Sequence, residues 1–308
     1  MKKAIVTGAT SFIGIALLKE LLSADYQVFA IIRPNSDRKK TVNEECPEAY
    51  IVECDISNLR NLTTIIADLD GCDEFYHIAW NSDFDNPRYN LEKQMKNVDY
   101  MLKAMETAKM CGCNSFISVG SQAECGLVTK PINSHTPDAP ITAYAKAKRE
   151  AYIKGCELSE KLGIDFYWPR LLSAYGPYDR PGTLVMSCID ACINCKDIKM
   201  TKAEQIWDYV YVNDVARALR LIAQKGSPQK KYSIASGKGR LLADYIKDIS
   251  DVFEYPELLN GLGKREYSEN EVMYLVGDVS ELYDDTGMIF NSDFKGYLAD
   301  MREMLVKE

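Results

Sequence analysis

Histidine is nearly absent from this chain: among 308 residues only His77 and His135 carry an imidazole. Imidazole is the commonest metal ligand and the usual proton carrier near neutral pH. Two so far apart, one read at a strand end and one in a loop, are too few to pair as a catalytic dyad and leave little for a metal. Long apolar runs are missing too. Nothing approaches the roughly 20 residues that span a bilayer. The opening MKKAIVTGAT holds only Ala4, Ile5 and Val6 between its lysines and a polar turn, too short for the apolar region of a secretion signal. The expectation is a cytoplasmic protein with no membrane partner. Basic stretches are equally scarce, and the formal net charge of −8 argues against nucleic acid as a partner.

Cysteine, by contrast, is plentiful. Ten are present, and without a secretion signal their thiols are read as reduced. Cys188, Cys192 and Cys195, in SCIDACINC, copy a three-thiolate cluster spacing, yet they also mark one stripe of an amphipathic helix. The helix stripe is the reading adopted, and no metal is expected.

Apolar residues make up 46% of the chain, enough for an ordinary core. Ala4–Val6, Val28–Ile32, Tyr50–Val52, Phe75–Ile78 and Phe116–Val119 read as strands, with a sixth at Ile164–Trp168. Phe12, Ile13, Leu17, Leu18, Leu21 and Leu22 form a helical stripe between the first two, and Leu91, Met95, Val98, Leu102 and Met105 form another before the fifth. Strand and helix in alternation predict an α/β fold, a doubly wound parallel sheet covered on both faces. AYGPYDRPGT reads as a loop, and a helix–strand return runs from about Val210 to Ile234. Residues 1–170 plus about 208–235 are expected to form the sheet domain, and about 171–207 plus 236–308 a smaller mixed lobe over its edge.

In AIVTGATSFIG a strand runs into a tight turn and then a helix, a Rossmann-type arrangement. Gly8 would let the chain leave the strand sharply, Gly14 would let the helix pack against the sheet, and the first helical N–H groups would face a pyrophosphate. Further along, ITAYAKAKREAY sets Tyr144 and Lys148 four apart, on one face of a helix. An isolated pair of this kind is usually a solvated couple, and a lone glycine turn is weak evidence.

Together with ECDISN, YHIAW, SVGSQAECG, PRLLSAYGP and WDYVYVNDVARAL, these segments resemble the extended short-chain dehydrogenase/reductases, of the nucleotide-sugar epimerase, dehydratase and reductase branch. The resemblance covers most of the chain, in order and in spacing. Its glycine turn is usually G-x-x-G-x-x-G; here Ser11 replaces the middle glycine, where a hydroxyl could donate to the diphosphate. The resemblance implies a cofactor held by Gly8, Thr10, Ser11, Phe12, Ile13, Gly14, Arg33, Asp55, Ile56, Ile78, Ala79, Trp80, Asn97, Tyr144, Lys148 and Leu171. It also implies Ser121, Tyr144 and Lys148 as the catalytic set: Tyr144 moves the proton, Lys148 lies beside it against the nicotinamide ribose, and Ser121 orients the reacting oxygen. A nearby ammonium favours phenolate, which agrees with that role.

Dehydratases of the branch carry an Asp-Glu pair after the catalytic Ser/Thr; Gln122 and Ala123 stand there instead, which disfavours dehydration. Arg33 lies nineteen residues beyond Gly14, where an NAD enzyme places an acid on the ribose, and Arg38, Lys39 and Lys40 follow. A guanidinium suits the 2′-phosphate of NADP; NAD, with Asn35 or Ser36 touching the ribose, is the alternative. The resulting expectation is reduction of a nucleotide-linked 4-keto-6-deoxy sugar, with a 4-epimerase as runner-up and a non-catalytic NADP binder last. Gln122, Ser173, Arg180, Trp207 and Arg265 are the candidate substrate contacts, though Trp207 reads equally well as core. Cys125, where relatives often have tyrosine, reads as packing. Helices at about 91–110 and 145–161 correspond to a homodimer interface in the family, or cover only their own sheet.

Overall fold

Six of the short apolar runs pair in parallel into one sheet. Residues 1–65, 71–81 and 90–306 are described in this computed structural model. The chain opens with β1 (Lys3–Thr7), α1 (Phe12–Ser23), β2 (Gln27–Ile32), α2 (Lys39–Glu45) and β3 (Tyr50–Glu53). A tight turn (Ile56–Asn61) and the single turn α3 (Leu62–Ile65) follow, and then β4 (Glu74–His77), α4 (Leu91–Met110) and β5 (Ser115–Ser118). Next come β6 (Gly120–Ser121), α5 (Ala143–Leu162), β7 (Asp165–Tyr167), β8 (Arg170–Leu171) and β9 (Ser173–Tyr175). The remainder is α6 (Leu184–Ile193), β10 (Ile206–Trp207), β11 (Tyr209–Tyr211), α7 (Val212–Lys225), β12 (Ser233–Ile234) and β13 (Arg240–Leu241). It ends with α8 (Leu242–Val252), β14 (Tyr274–Leu275), α9 (Ser280–Thr286) and α10 (Phe294–Leu305).

The strand order β3-β2-β1-β4-β5-β7 makes a Rossmann-type sheet that reverses direction between β1 and β4. Its strands alternate two apolar sets. Ala4, Val6, Val28, Ala30 and Ile32 pack under Leu17, Leu18 and Leu21 of α1 and Val215, Leu219 and Ile222 of α7. On the other face Ile5, Phe29, Ile31, Phe75, Phe116 and Phe166 meet Val98, Met101 and Met105 of α4 and Ala147 and Ala151 of α5. Burial on both faces is why the strands read as nearly continuous apolar runs. Each fully buried large side chain contributes about 1.5–3 kcal/mol. Leu91, the first residue of the α4 stripe, is exposed.

The later segments build three small sheets, ordered β13-β10-β14, β11-β9 and β12-β8-β6, of which the first mixes parallel and antiparallel pairing. Around them α6, α8 and α10 enclose a separate core that includes Cys188, Ile189, Ile246, Leu298 and Met301. Asp208 ties this region together: its buried carboxylate accepts from Ser236 N and Oγ, Gly237 N and Gly277 N. Two local readings need correction. The stretch read as a loop from Ala174 begins inside β9, because Ser173–Tyr175 pairs with β11. The cysteine stripe is broken as well: Cys188 and Cys192 are buried on α6, but the helix ends at Ile193 and Cys195 lies beyond it, exposed, at φ +50°.

Candidate active site

The reversal of strand order leaves a crevice at the carboxyl ends of β1 and β4, where ligands of open α/β sheets bind. A cavity of about 450 Å³ fills it. Thr7, Gly8, Thr10 and Ser11 form one wall, Ile31, Ile32 and Arg33 the end of β2, and Ile78, Ala79, Trp80 and Asn81 the exit from β4. Asp55 and Ile56 line it from the segment after β3.

Gly8 has φ +71°, and a Cβ there would stand 2.7 Å from the Ala79 backbone nitrogen. Only glycine passes between the two strand ends. Gly14 approaches the turn and not the sheet: its Cβ would lie 2.2 Å from the Gly8 carbonyl oxygen. Ser11 caps α1, its hydroxyl accepting from Gly14 N at 3.0 Å. Its own proton stays available to donate toward the cavity, so the substitution of the middle glycine serves the helix start first. Phe12 and Ile13 follow on α1, packed against the core and not among the cavity-lining residues.

The basic run after β2 separates into distinct roles. Lys39 pairs with Glu53 and Lys40 with Glu44, outside the cavity. Arg33 and Arg38 line it, and Arg180 reaches it from the far half of the chain. Arg38 joins the two: it donates to the Thr10 carbonyl at 3.4 Å and to the Tyr178 carbonyl at 3.0 Å. Asp55 is the one carboxylate among the described lining residues. Hydrogen bonds from the Ser57 hydroxyl and N–H hold its carboxyl below the usual range.

Thr142 caps α5 by accepting from Ala145 N at 3.1 Å, which places Tyr144 and Lys148 in its opening turns. Lys148 is buried; its ammonium donates to the Val119 carbonyl at 2.8 Å and lies 3.5 Å from the Trp80 ring centroid. Burial pushes this group down from 10.5 to about 7, opposed by the charge of Glu124. The Trp80 indole meets the Tyr144 ring edge-on, with centroids 6.1 Å apart. Its N–H donates to Gln94 Oε1 at 2.8 Å. Trp80 thus faces the cavity and the Tyr144/Lys148 pair together.

Ser121 sits in β6, paired with Leu171 of β8, and starts the turn Gln122–Cys125. Its Oγ accepts from Ala123 N at 3.2 Å, while its backbone N–H donates to Glu124 Oε1 at 2.7 Å. This reciprocal capping box is spelled by Ser-Gln-Ala-Glu, a visible signature of the S-x-x-E type that the reading above passed over. Gln94 was also missed, and a glutamine within a helical stripe gives no warning. Gln122 is half-buried on the same turn. Cys125 is buried and its thiol pushed up to about 11 by that burial, consistent with packing.

Other candidates lie elsewhere. Asn97 is buried behind the cavity wall, where it accepts from Asn81 N at 2.7 Å and donates to the Asn81 carbonyl at 3.0 Å. Ser173 and Trp207 meet directly, the indole N–H donating to the serine hydroxyl at 2.8 Å. Arg265 is exposed, and its backbone N–H donates to the Met200 carbonyl at 3.0 Å. His77 is buried against Thr7 and Phe116, and burial lowers it to about 3, so it is neutral. Among the described residues no group of three His, Cys, Asp or Glu is placed to hold a metal ion, and no helix is long and apolar enough to cross a membrane.

Residues 4–235 match the NAD dependent epimerase/dehydratase family. The chain belongs to that family. Like other members of the epimerase/dehydratase family, it is an enzyme of nicotinamide-dependent nucleotide-sugar chemistry. CDP-abequose synthase of Salmonella typhimurium is 26% identical over 98% of this chain and 97% of its own length. UDP-N-acetylglucosamine 4-epimerase from Methanobrevibacter ruminantium, solved with UDP-N-acetylmuramic acid, has the same fold, with a TM-score of 0.87, 22% identity and coverage of 99% and 98%. RMD from Pseudomonas aeruginosa, solved with NADPH, superposes with a TM-score of 0.80 at 18% identity, over 97% of each chain. Family structures of this fold carry NAD as well.

The cavity suits such a dinucleotide. Gly8 leaves room beside Ala79 that a Cβ would fill, the α1 N-terminus faces the turn, and guanidinium groups stand at one end.

Proposed function

We propose that this enzyme reduces the 4-keto group of a nucleotide-linked 6-deoxy sugar, with NADPH as reductant. One observation carries the reading: Arg33, Arg38 and Arg180 gather on a single cavity, against one carboxylate, Asp55, among its described lining residues. Guanidinium groups pair well with phosphate, and a 2′-phosphate is what separates NADP from NAD. NADPH suits an enzyme that consumes reducing equivalents. Gln122 and Ala123, where dehydratases carry acids, leave water elimination without its proton carriers.

Bound nicotinamide would supply the hydride; the protein supplies position and protons. Tyr144 gives its phenolic proton to the C4 oxygen. The Lys148 ammonium stabilises the phenolate that remains. Ser121 uses its hydroxyl oxygen to accept from Ala123 N, which leaves the hydroxyl proton to donate to the same C4 oxygen and hold it in line. Ser173 and Trp207, joined by their hydrogen bond, are the substrate-side contacts of this reading, with Gln122 on the Ser121 turn.

The purified protein, given a 4-keto-6-deoxy nucleotide sugar and NADPH, should oxidise the coenzyme and yield a product about two mass units heavier. An isobaric product from a UDP-hexose, with no net coenzyme consumption, would replace this reading with epimerisation.

A further inference from the structure

Behind Ser121 lies a carboxylate that the reaction just described does not use. Glu124 is 0% exposed. Oε1 accepts from Ser121 N at 2.7 Å and from Trp168 Nε1 at 3.2 Å; Oε2 accepts from Trp168 Nε1 at 3.2 Å and from Arg170 Nε at 3.3 Å. Arg170 is likewise 0% exposed. The far side of its guanidinium is taken by Asp138 and by the Thr136 carbonyl. Asp138 is matched further by Lys231 at 2.8 Å and Arg149 at 3.6 Å.

The charges are therefore unevenly shared. Asp138 faces Arg170, Lys231 and Arg149, whereas Glu124 touches one cation, through one nitrogen. A second cation lies near the same indole that donates to Glu124: Lys148 Nζ is 5.6 Å from the Trp168 ring centroid. Its hydrogen bond goes to the Val119 carbonyl, two residues before Ser121. Among the described residues, the other groups around this ammonium are uncharged. Trp80 offers a ring face, Tyr144 a phenol ring at 5.9 Å, and His77 is neutral. Cys125 and Tyr152, packed near the Glu124 and Arg170 side, are held neutral by burial.

We propose that Glu124 is a positioning residue of the reaction: one buried carboxylate fixes the Ser121 turn through its N–H and serves as the counter-charge that keeps the Lys148 ammonium protonated. Its two tasks are coupled, because the oxygen that holds Ser121 belongs to the carboxylate whose charge acts on Lys148, with Trp168 touching both. The inference rests on the catalytic roles given to Ser121, Tyr144 and Lys148 above, and not on which sugar or coenzyme is used.

The test reads the lysine directly in the full chain. Protein labelled with ¹³C-lysine is titrated by NMR, and the Lys148 signal is assigned by its loss in Lys148→Met. In Glu124→Gln the Lys148 midpoint should move down by about one pH unit, because the neutral amide no longer favours the charged form. The alkaline limb of kcat/KM should move down with it, and Glu124→Asp, which restores the charge, should return both toward the wild-type position. Should Glu124→Gln fail to fold, Glu124→Asp serves alone: its shorter carboxylate keeps the charge but loosens the hold on Ser121 N, so the Lys148 midpoint should stay near wild type while kcat/KM falls. An unmoved Lys148 midpoint in Glu124→Gln overturns the inference, as does a moved midpoint with an unmoved kcat/KM limb. A midpoint that moves in protein with no reductase activity upholds the counter-charge and sinks the proposed reaction instead.

Discussion

The Lys148 ammonium lies 3.5 Å from the centroid of the Trp80 ring, and that same indole stands edge-on to Tyr144. A desolvated cation over an indole face gains about 2 kcal/mol. The contact favours the charged lysine and holds it beside the phenol. Trp80→Leu removes the ring and should lower kcat/KM near neutral pH by up to about 30-fold. Trp80→Phe keeps an aromatic face but loses the N–H bond to Gln94, and should lose less. Steady-state kinetics of both variants decide it: equal losses would assign the effect to the Gln94 tether.

Burying that ammonium has a stability consequence with a definite sign. Its folded value is about 7 against an ordinary 10.5. Between those values the unfolded chain binds the extra proton, so stability from this group rises with pH across the window. Below it the full cost of burying the charge is present, on the order of a few kcal/mol. Lys148→Met should therefore melt at a higher temperature than wild type at about pH 6. The difference should shrink as the pH climbs toward the upper value. A gain that is independent of pH would show that packing, not charge, sets it.

Arg33, Arg38 and Arg180 share one cavity, but Arg38 is already bonded to the Thr10 and Tyr178 carbonyls. Arg33 stands at the end of β2 and Arg180 enters the same cavity from the far half of the chain, and a 2′-phosphate bound there is tested at these two guanidinium groups. Arg33→Asp should weaken NADPH binding at least about tenfold more than NADH binding, since one charge-assisted phosphate contact is lost and a repulsion is added. Arg180→Ala should show the same preference more weakly. Titration calorimetry with both coenzymes measures it. Equal losses for the two would refute a 2′-phosphate site here.

Periodicity made much of this fold legible. Parallel strands buried on both faces announce themselves as short apolar runs, and the four-residue spacing of Tyr144 and Lys148 puts them on one helical face wherever the helix packs. Gly8 was legible because a positive φ at a strand end leaves few other residues. Contacts between distant segments were not. Trp80 reaches Lys148 from the exit of another strand, and Arg180 lines the cavity at the β2 end from a segment in the other half of the chain. Glu124 was written in a local capping pattern, but its pairing with Arg170 depends on β6 lying beside β8. The Cys195 misreading came from extending a helical period past the residue where the helix stops.

Tyr144 is the residue on which proton transfer turns, and its removal separates binding from chemistry. Tyr144→Phe preserves the ring that meets Trp80 edge-on and deletes only the hydroxyl. The cavity walls at Gly8, Arg33 and Ala79 are untouched by the change. Coenzyme affinity should therefore stay within about twofold of wild type, while kcat falls by about 100-fold or more, the usual scale for one general acid. Ser121→Ala should fall less, because the proton remains available and only its line of approach is loosened. Fluorescence titration of NADPH together with single-turnover kinetics distinguishes the two effects. Turnover that survives the loss of the phenol would move the proton source to another group, with the half-buried Ser121 the first to be tested.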